Sequence, residues 1–219
     1  MKVSKILMFL AAVMFLASSC TKDLETEGLS RVTFFADLAM AGEEVIFHPL
    51  GETFDDPGAM ATENGEEIAV VVSGGVDVNT PGFYNISYSA ENSDGFSSSV
   101  TRTVIVYETG DVVGIYDAIR VGRGGGLVLV STNPDGGYFV SDLIGGYYEF
   151  WVGYGNAYAA PSTLYVDGST VTADIGSCGF GPVEISNGVI SGDHLTMAWT
   201  MTLLDYDFSF DVELTKITN

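Results

Sequence analysis

The sequence predicts an all-β fold, a β-sandwich followed by an antiparallel β-meander that forms a second sandwich or a small barrel. Three observations carry this. Apolar residues recur with period two, turn chemistry separates those runs, and no helical periodicity is convincing anywhere. In residues 83–90, Tyr84, Ile86, Tyr88 and Ala90 alternate with Phe83, Asn85, Ser87 and Ser89. In residues 195–203, Leu195, Met197, Trp199, Met201 and Leu203 alternate with Thr196, Ala198, Thr200 and Thr202. The second pattern is that of an antiparallel sheet with one face in water.

Residues 1–19 read as a lipoprotein signal peptide. Lys2 and Lys5 give a basic start, and Ile6 to Ala17 form an apolar run too short to span a bilayer as a permanent helix. The following Leu16-Ala17-Ser18-Ser19-Cys20 resembles the bacterial lipobox. That resemblance implies a diacylglycerol-modified, acylated (palmitate-type) Cys20 as the first mature residue. The bland alternative is an ordinary secretory signal with an incidental cysteine. Residues 20–30 are the lipidated cysteine and an acidic tether. Cys20-Thr21-Lys22-Asp23, with Glu25 and Glu27, resembles the export signal of Bacteroidetes-type surface lipoproteins. This implies a place on the outer membrane, facing the cell exterior.

Loss of Lys2 and Lys5 takes the formal net charge from −21 to −23, with six Lys and Arg against 29 acidic residues. Nucleic acid and anionic headgroups both need a basic patch, so neither is an expected partner. The lipid is then the only membrane attachment the sequence predicts, and two or more acyl chains hold firmly where one does not. With Cys20 acylated, Cys178 has no intramolecular partner, so the apolar core alone must stabilise the fold.

Residues 31–108 read as the first domain. Ile68-Ala69-Val70-Val71-Val72 is a compact β-rich run, and Glu91-Asn92-Ser93-Asp94-Gly95 is hairpin chemistry leading into Val100, Val104 and Val106. Phe54-Asp55-Asp56-Pro57-Gly58-Ala59, residues 80–88 (TPGFYNISY), Asn92-Ser93-Asp94-Gly95 and Thr101-Arg102-Thr103-Val104 resemble bacterial Ig-like domains of the type named after an insecticidal crystal toxin. The resemblance implies an Ig-like β-sandwich that serves as a spacer or adhesion module.

Glu108-Thr109-Gly110-Asp111 marks the boundary, and residues 111–219 read as the second domain. Asp111 to Tyr116 opens it, Leu127 to Val130 is a buried strand, and Phe208, Phe210, Val212 and Leu214 complete a hairpin with residues 195–203. Gly114-Ile115-Tyr116, residues 141–148 (SDLIGGYY), residues 154–161 (YGNAYAAP) and residues 212–216 (VELTK) resemble the C-terminal domain of a small Bacteroidetes lipoprotein family. Its members are implied to be surface proteins associated with glycan uptake, and the resemblance carries over no functional residue.

Chemistry is sparse. His48 and His194 fall in different domains, and His194 sits where a turn or strand edge is expected. Cys178 reads as a small buried residue, and one free cysteine makes no zinc cluster. Residues 122–126 (GRGGG) lack the Lys-Ser/Thr ending and following helix of a phosphate loop, so a hairpin turn is expected. Asp55-Asp56, Asp77-Val78-Asn79 and Asn92-Ser93-Asp94 offer oxygen ligands for Ca2+, but without EF-hand spacing they read as turns, and no metal or other cofactor is expected. No catalytic residue emerges, and the chain is not expected to be an enzyme.

The candidate ligand site is aromatic. If residues 147–154 form a strand, Tyr148, Phe150, Val152 and Tyr154 face the core, while Tyr147, Glu149 and Trp151 present two rings around a carboxylate. With Asn156 and Tyr158 close behind, this suits a sugar, which stacks its C–H faces on rings and hydrogen-bonds its hydroxyls to carboxylates. Cover for the next sheet or for an interdomain contact is the competing reading. The expectation is thus a surface lipoprotein that binds polysaccharide or oligosaccharide or assists its uptake. The alternative is a structural lipoprotein that contacts a protein partner in an outer-membrane uptake complex.

Overall fold

The computed structural model describes residues 32–218. Cys20, the signal peptide and the tether lie outside the described residues. The N-terminal part stacks two sheets. One joins β1 (Asp37–Met40), β3 (Ala59–Glu63) and β4 (Glu66–Ile68); the other joins β2 (Val45–Pro49), β7 (Ser97–Tyr107), β6 (Gly82–Glu91) and β5 (Val71–Gly74). Strand β2 runs parallel to β7, and the other pairings are antiparallel. As the alternation requires, Ile86, Tyr88 and Ala90 point into the sandwich and are buried.

The β-rich run Ile68 to Val72 is shared between two strands: Ile68 ends β4 in the first sheet, and Val71 starts β5 in the second. The chain crosses between sheets at Ala69 and Val70. Val70 packs against the sandwich core, whereas Val71 and Val72 are exposed on the edge strand. A short β-branched run reports strand propensity and cannot show that the chain changes sheets within it.

The sandwich also contains a fully buried guanidinium. Arg102 on β7 forms an ion pair with Asp56 and donates to the Tyr88 hydroxyl at 2.7 Å and to the Glu43 carbonyl at 3.1 Å. It also donates to the Ala41 carbonyl. Tyr88 in turn donates to both Asp56 oxygens, at 2.6 and 2.7 Å. Burial opposes ionisation of Asp56, but the Tyr88 hydroxyl, the Gly58 N–H and Arg102 outweigh it and hold its carboxyl below the usual range.

The C-terminal part is a closed barrel, which settles the choice between sandwich and barrel. Strands β8 (Gly114–Arg120), β9 (Gly125–Thr132), β10 (Tyr138–Val140), β11 (Ser162–Asp167), β12 (Thr170–Ala173), β14 (Gly181–Ile190), β15 (Thr196–Leu203) and β16 (Phe208–Lys216) follow one another around the wall. Pairing of β12 with β14 and of β16 with β8 closes the ring, and β13 (Gly176–Cys178) hangs on β14 as a side hairpin. An eight-strand interior is just wide enough to be filled by side chains or to hold one small ligand. Met197, Trp199, Met201 and Leu203 fill it from β15, with Val212 and Leu214 from β16. The expected β-hairpin at residues 122–126 is present, as the turn from β8 to β9.

The two parts share an apolar contact. Ile105, on the outer face of β7, is buried with Ile115 of β8 and Leu129 of β9, and Phe47, Phe83, Tyr107, Leu127 and Ile217 pack around them. Lys216 donates to the carbonyls of Gly110 and Asp111, tying down the connecting segment.

Removing one member of the buried ion pair tests its role. Asp56→Ala strands the Arg102 charge and is expected to lower the unfolding free energy by about 3 kcal/mol. The double replacement Asp56→Ala with Arg102→Met should cost clearly less, because no unpaired charge remains. Urea denaturation of the three proteins checks this.

Candidate functional site

The candidate site lies at one end of the barrel and is built on the long connection between β10 and β11. Its anchor is Asp142, which is fully buried. One carboxylate oxygen accepts from the N–H of Ile144 at 2.9 Å and of Ala160 at 2.8 Å, and the other accepts from the N–H of Gly146 at 2.8 Å. Both ends of the connection are thereby fixed to one side chain. Leu143 and Ile144 are driven into the barrel, and the Leu143 carbonyl accepts from the buried Trp199 indole at 2.8 Å. Trp199 is core, as its parity on β15 predicts.

After Gly145 and Gly146, both at positive φ, residues 147–151 form a single π-helical turn rather than a strand. This overturns the expected face of Tyr147, Glu149 and Trp151. It equally overturns the expected core face, since Phe150, Val152 and Tyr154 are exposed. The turn sends its rings in different directions. Tyr147 packs against Tyr148 and Phe210 and lies under the Arg120 guanidinium, 4.8 Å from the ring centre. Phe150 covers Gly126 and reaches Phe83 of the sandwich, with ring centres 6.1 Å apart. Trp151 lies over Gly124 of the β8–β9 turn and is 65% exposed. A side chain at Gly124 or Gly126 would collide with these rings, so the glycines serve as seats.

The rings that do converge surround Phe180, in the turn before β14. Tyr148 and Tyr158 meet it edge-on at 4.9 Å, and Tyr154 and Tyr206 at 6.3 Å. Tyr148 and Tyr154 are nearly parallel, 3° apart. Tyr148, Phe180, Leu203, Tyr206 and Phe208 line an open cavity of about 370 Å³. Among the described residues, the hydroxyls of Tyr148, Tyr154, Tyr158 and Tyr206 have no hydrogen-bond partner. Of the sequence candidates, Tyr158 therefore belongs to the cluster, Tyr147 and Glu149 sit on the adjoining turn, Asn156 is exposed beside it, and Trp151 lies on a separate ledge. Phe180, Tyr206 and Phe208 escaped sequence reasoning because they come from two distant hairpin turns.

Two carboxyls give the site its electrostatics. Burial raises Asp142 to about 6 against its three N–H donors. Burial, followed by repulsion from Asp142, raises Glu149 to about 7, and no described residue hydrogen-bonds its carboxylate. Burial likewise pushes the Cys178 thiol up, which disfavours the nucleophilic thiolate. His48 contacts the Glu52 carbonyl at 3.0 Å, and His194 sits in a turn at φ 58°. Asp77 and Asn92 cap their own turns. Among the described residues, no group of three or more His, Cys, Asp or Glu side chains is arranged to hold a metal.

Comparison with known proteins gives two family matches. A model for a bacterial surface protein Ig-like domain matches residues 38–106, and a model described as a C-terminal domain matches residues 77–216. The chain is similar to the crystal structure of the lipoprotein BT2262 from Bacteroides thetaiotaomicron, with 32% identity and a TM-score of 0.66. That match covers 83% of this chain and all of the other. No curated protein matches.

The anchor and the pH response are testable together. Asp142→Ala orphans three buried donors and should destabilise by about 3 kcal/mol or more, and Asp142→Asn by less, because one acceptor oxygen survives. Asp142 and Glu149 hold protons more tightly when folded than unfolded, so stability should fall as pH rises from about 4 to about 7. Thermal melting from pH 5 to pH 8 should show a smaller loss in Glu149→Gln than in the wild type.

Proposed function

The chain belongs to the family of the Bacteroides thetaiotaomicron lipoprotein BT2262, and from that premise we propose a lipid-anchored, non-catalytic outer-surface protein that binds a neutral glycan at the mouth of its barrel. The lipobox-like segment ending at Cys20 and the acidic tether support the anchor and the surface location. The observation that carries the binding reading is the ring cluster around Phe180: open, cavity-forming and edged by tyrosine hydroxyls without partners. Flat rings accept the C–H faces of a sugar, while phenols and the half-buried Glu149 meet its hydroxyls. A chain with a net charge of −23 after cleavage repels anionic polysaccharide, which restricts the ligand to neutral sugars. The resemblance of residues 111–219 to lipoproteins associated with glycan uptake supports a role in capture for a polysaccharide-uptake assembly.

Calorimetry on a panel of neutral oligosaccharides tests this. Tyr154→Ala and Tyr206→Ala, at exposed rings, should each weaken binding at least about tenfold, a loss of roughly 1.4 kcal/mol, without changing the melting temperature. Wild-type affinity in both variants, or silence across the panel, removes the glycan reading. Cross-linking on intact cells that recovered a transporter in its place would assign the mouth to a protein partner.

A further inference from the structure

The sandwich carries a second exposed aromatic surface, at the end where the tether arrives. Phe35 is 65% and Phe96 52% exposed, with ring centres 5.5 Å apart, and Val32 and Phe34 are exposed beside them. This tip is held in place. Asn92, itself buried, donates to the Phe34 carbonyl at 2.7 Å and accepts from the N–H groups of Phe96 at 2.7 Å and Asp94 at 3.2 Å. Ser98 donates to the Ala36 carbonyl at 2.9 Å, and Glu63 accepts from the Ser93 N–H and hydroxyl at 2.9 and 2.7 Å. The segment before β1 and the β6–β7 turn are thus clamped together with their rings in water. The sandwich core does not use those rings.

Resting on the lipid-anchored reading above, we infer that this tip docks on the bilayer that holds the anchor, its rings seated at the boundary between headgroups and acyl chains. Residues 21–31 separate Cys20 from Val32. Eleven residues span at most roughly 40 Å. An acylated Cys20 therefore keeps the tip within that distance of the membrane surface. At that effective concentration a weak partition becomes an occupied one. Aromatic side chains suit the interface, where a ring is half apolar contact and half hydrated surface. The flanking charges select the membrane: Asp37 starts β1 two residues after Phe35, Glu63 bonds to Ser93 in the β6–β7 turn, and Glu91 and Asp94 lie on the strand before that turn and on the turn itself, while among residues 21–31 Asp23, Glu25 and Glu27 outnumber Lys22 and Arg31. Anionic headgroups repel such a face, so docking is to a surface of low negative charge.

The test uses the acylated full chain with the exposed Trp151 replaced by Phe and with Phe35→Trp or, separately, Phe96→Trp, in phosphatidylcholine vesicles whose acyl chains are brominated near the headgroup; the signal of the Trp151→Phe parent, which retains buried Trp199, is subtracted. Both introduced tryptophans should shift to the blue and be quenched at least twofold more than in Ile175→Trp, an exposed barrel position. Replacing half of the lipid with phosphatidylglycerol at low salt should reduce the quenching. A chain that floats with vesicles while both tryptophans stay open to aqueous iodide overturns the docking and leaves the anchor standing. A chain that does not float removes both. A blue shift that grows with protein concentration without vesicles assigns the tip to a second copy and overturns the inference. The two positions keep the test decisive where one variant folds poorly.

Discussion

The aromatic mouth depends on one buried carboxylate. The N–H groups that Asp142 accepts belong to residues two, four and eighteen positions further along. A single side chain thereby folds the turn that begins the β10–β11 connection and staples its far end at Ala160. Without it, three buried donors would be stranded and a long loop would be free to leave the barrel. With it, Leu143 and Ile144 are committed to the interior, the Trp199 indole finds its acceptor, and the π-helical turn starts from a fixed point. Ionisation of Asp142 is costly in so dry a place, and its rise to about 6 records that cost. An amide in its place would bring only one acceptor oxygen to three donors, and its own N–H₂ would face at least one of them. The carboxylate is therefore the side chain of that size that satisfies the geometry.

A second constraint joins the barrel to the sandwich. Strand β7 is buried on both faces over residues 104–106, with Val104 and Val106 turned to the sandwich and Ile105 to the barrel. Such a strand has no polar face to offer water, so the two parts are packed as neighbours rather than strung on a linker. Phe150 extends that contact from the aromatic segment to Phe83. One end of the site thus leans on the sandwich, while its centre at Phe180 belongs to the barrel. The competing reading of the aromatic run, cover for an interdomain contact, holds for this one ring.

Strand parity was legible wherever one face is wet and the other dry, as at Ile86, Tyr88 and Ala90 and along β15 from Met197 to Leu203. Period two maps directly onto burial there. It misled in residues 147–154, where alternating aromatics carry high strand propensity but the local backbone is set by the Asp142 clamp and the left-handed glycines that follow it. Propensity is a weak prior against three buried hydrogen bonds. The break between Ile68 and Val71 was hidden for a related reason, since both halves of the run are strands and only their sheets differ. The ring cluster was half visible. Tyr158 lies in the aromatic run, but Phe180, Tyr206 and Phe208 arrive from other hairpins, and only barrel closure brings those turns to one end.

The glycine-rich turn acquires its meaning from the same closure. Read alone, residues 122–126 say only that the chain reverses. In the barrel, Gly124 and Gly126 lie beneath Trp151 and Phe150, and Gly179 beneath Tyr158, so rings rest on backbone where any side chain would displace them. A ring seated in this way packs on backbone on one side, and Trp151 and Phe150 keep the other open to water. Little rotamer freedom is then left to lose when something stacks on it, and that loss is a main cost of binding. Surface aromatics without such seats would move in water and offer area without preorganisation. The pairing of bare backbone with large flat side chains supports the proposed reading of this end of the barrel as a recognition surface, with Tyr158 in the Phe180 cluster and Trp151 and Phe150 on the ledge beside it.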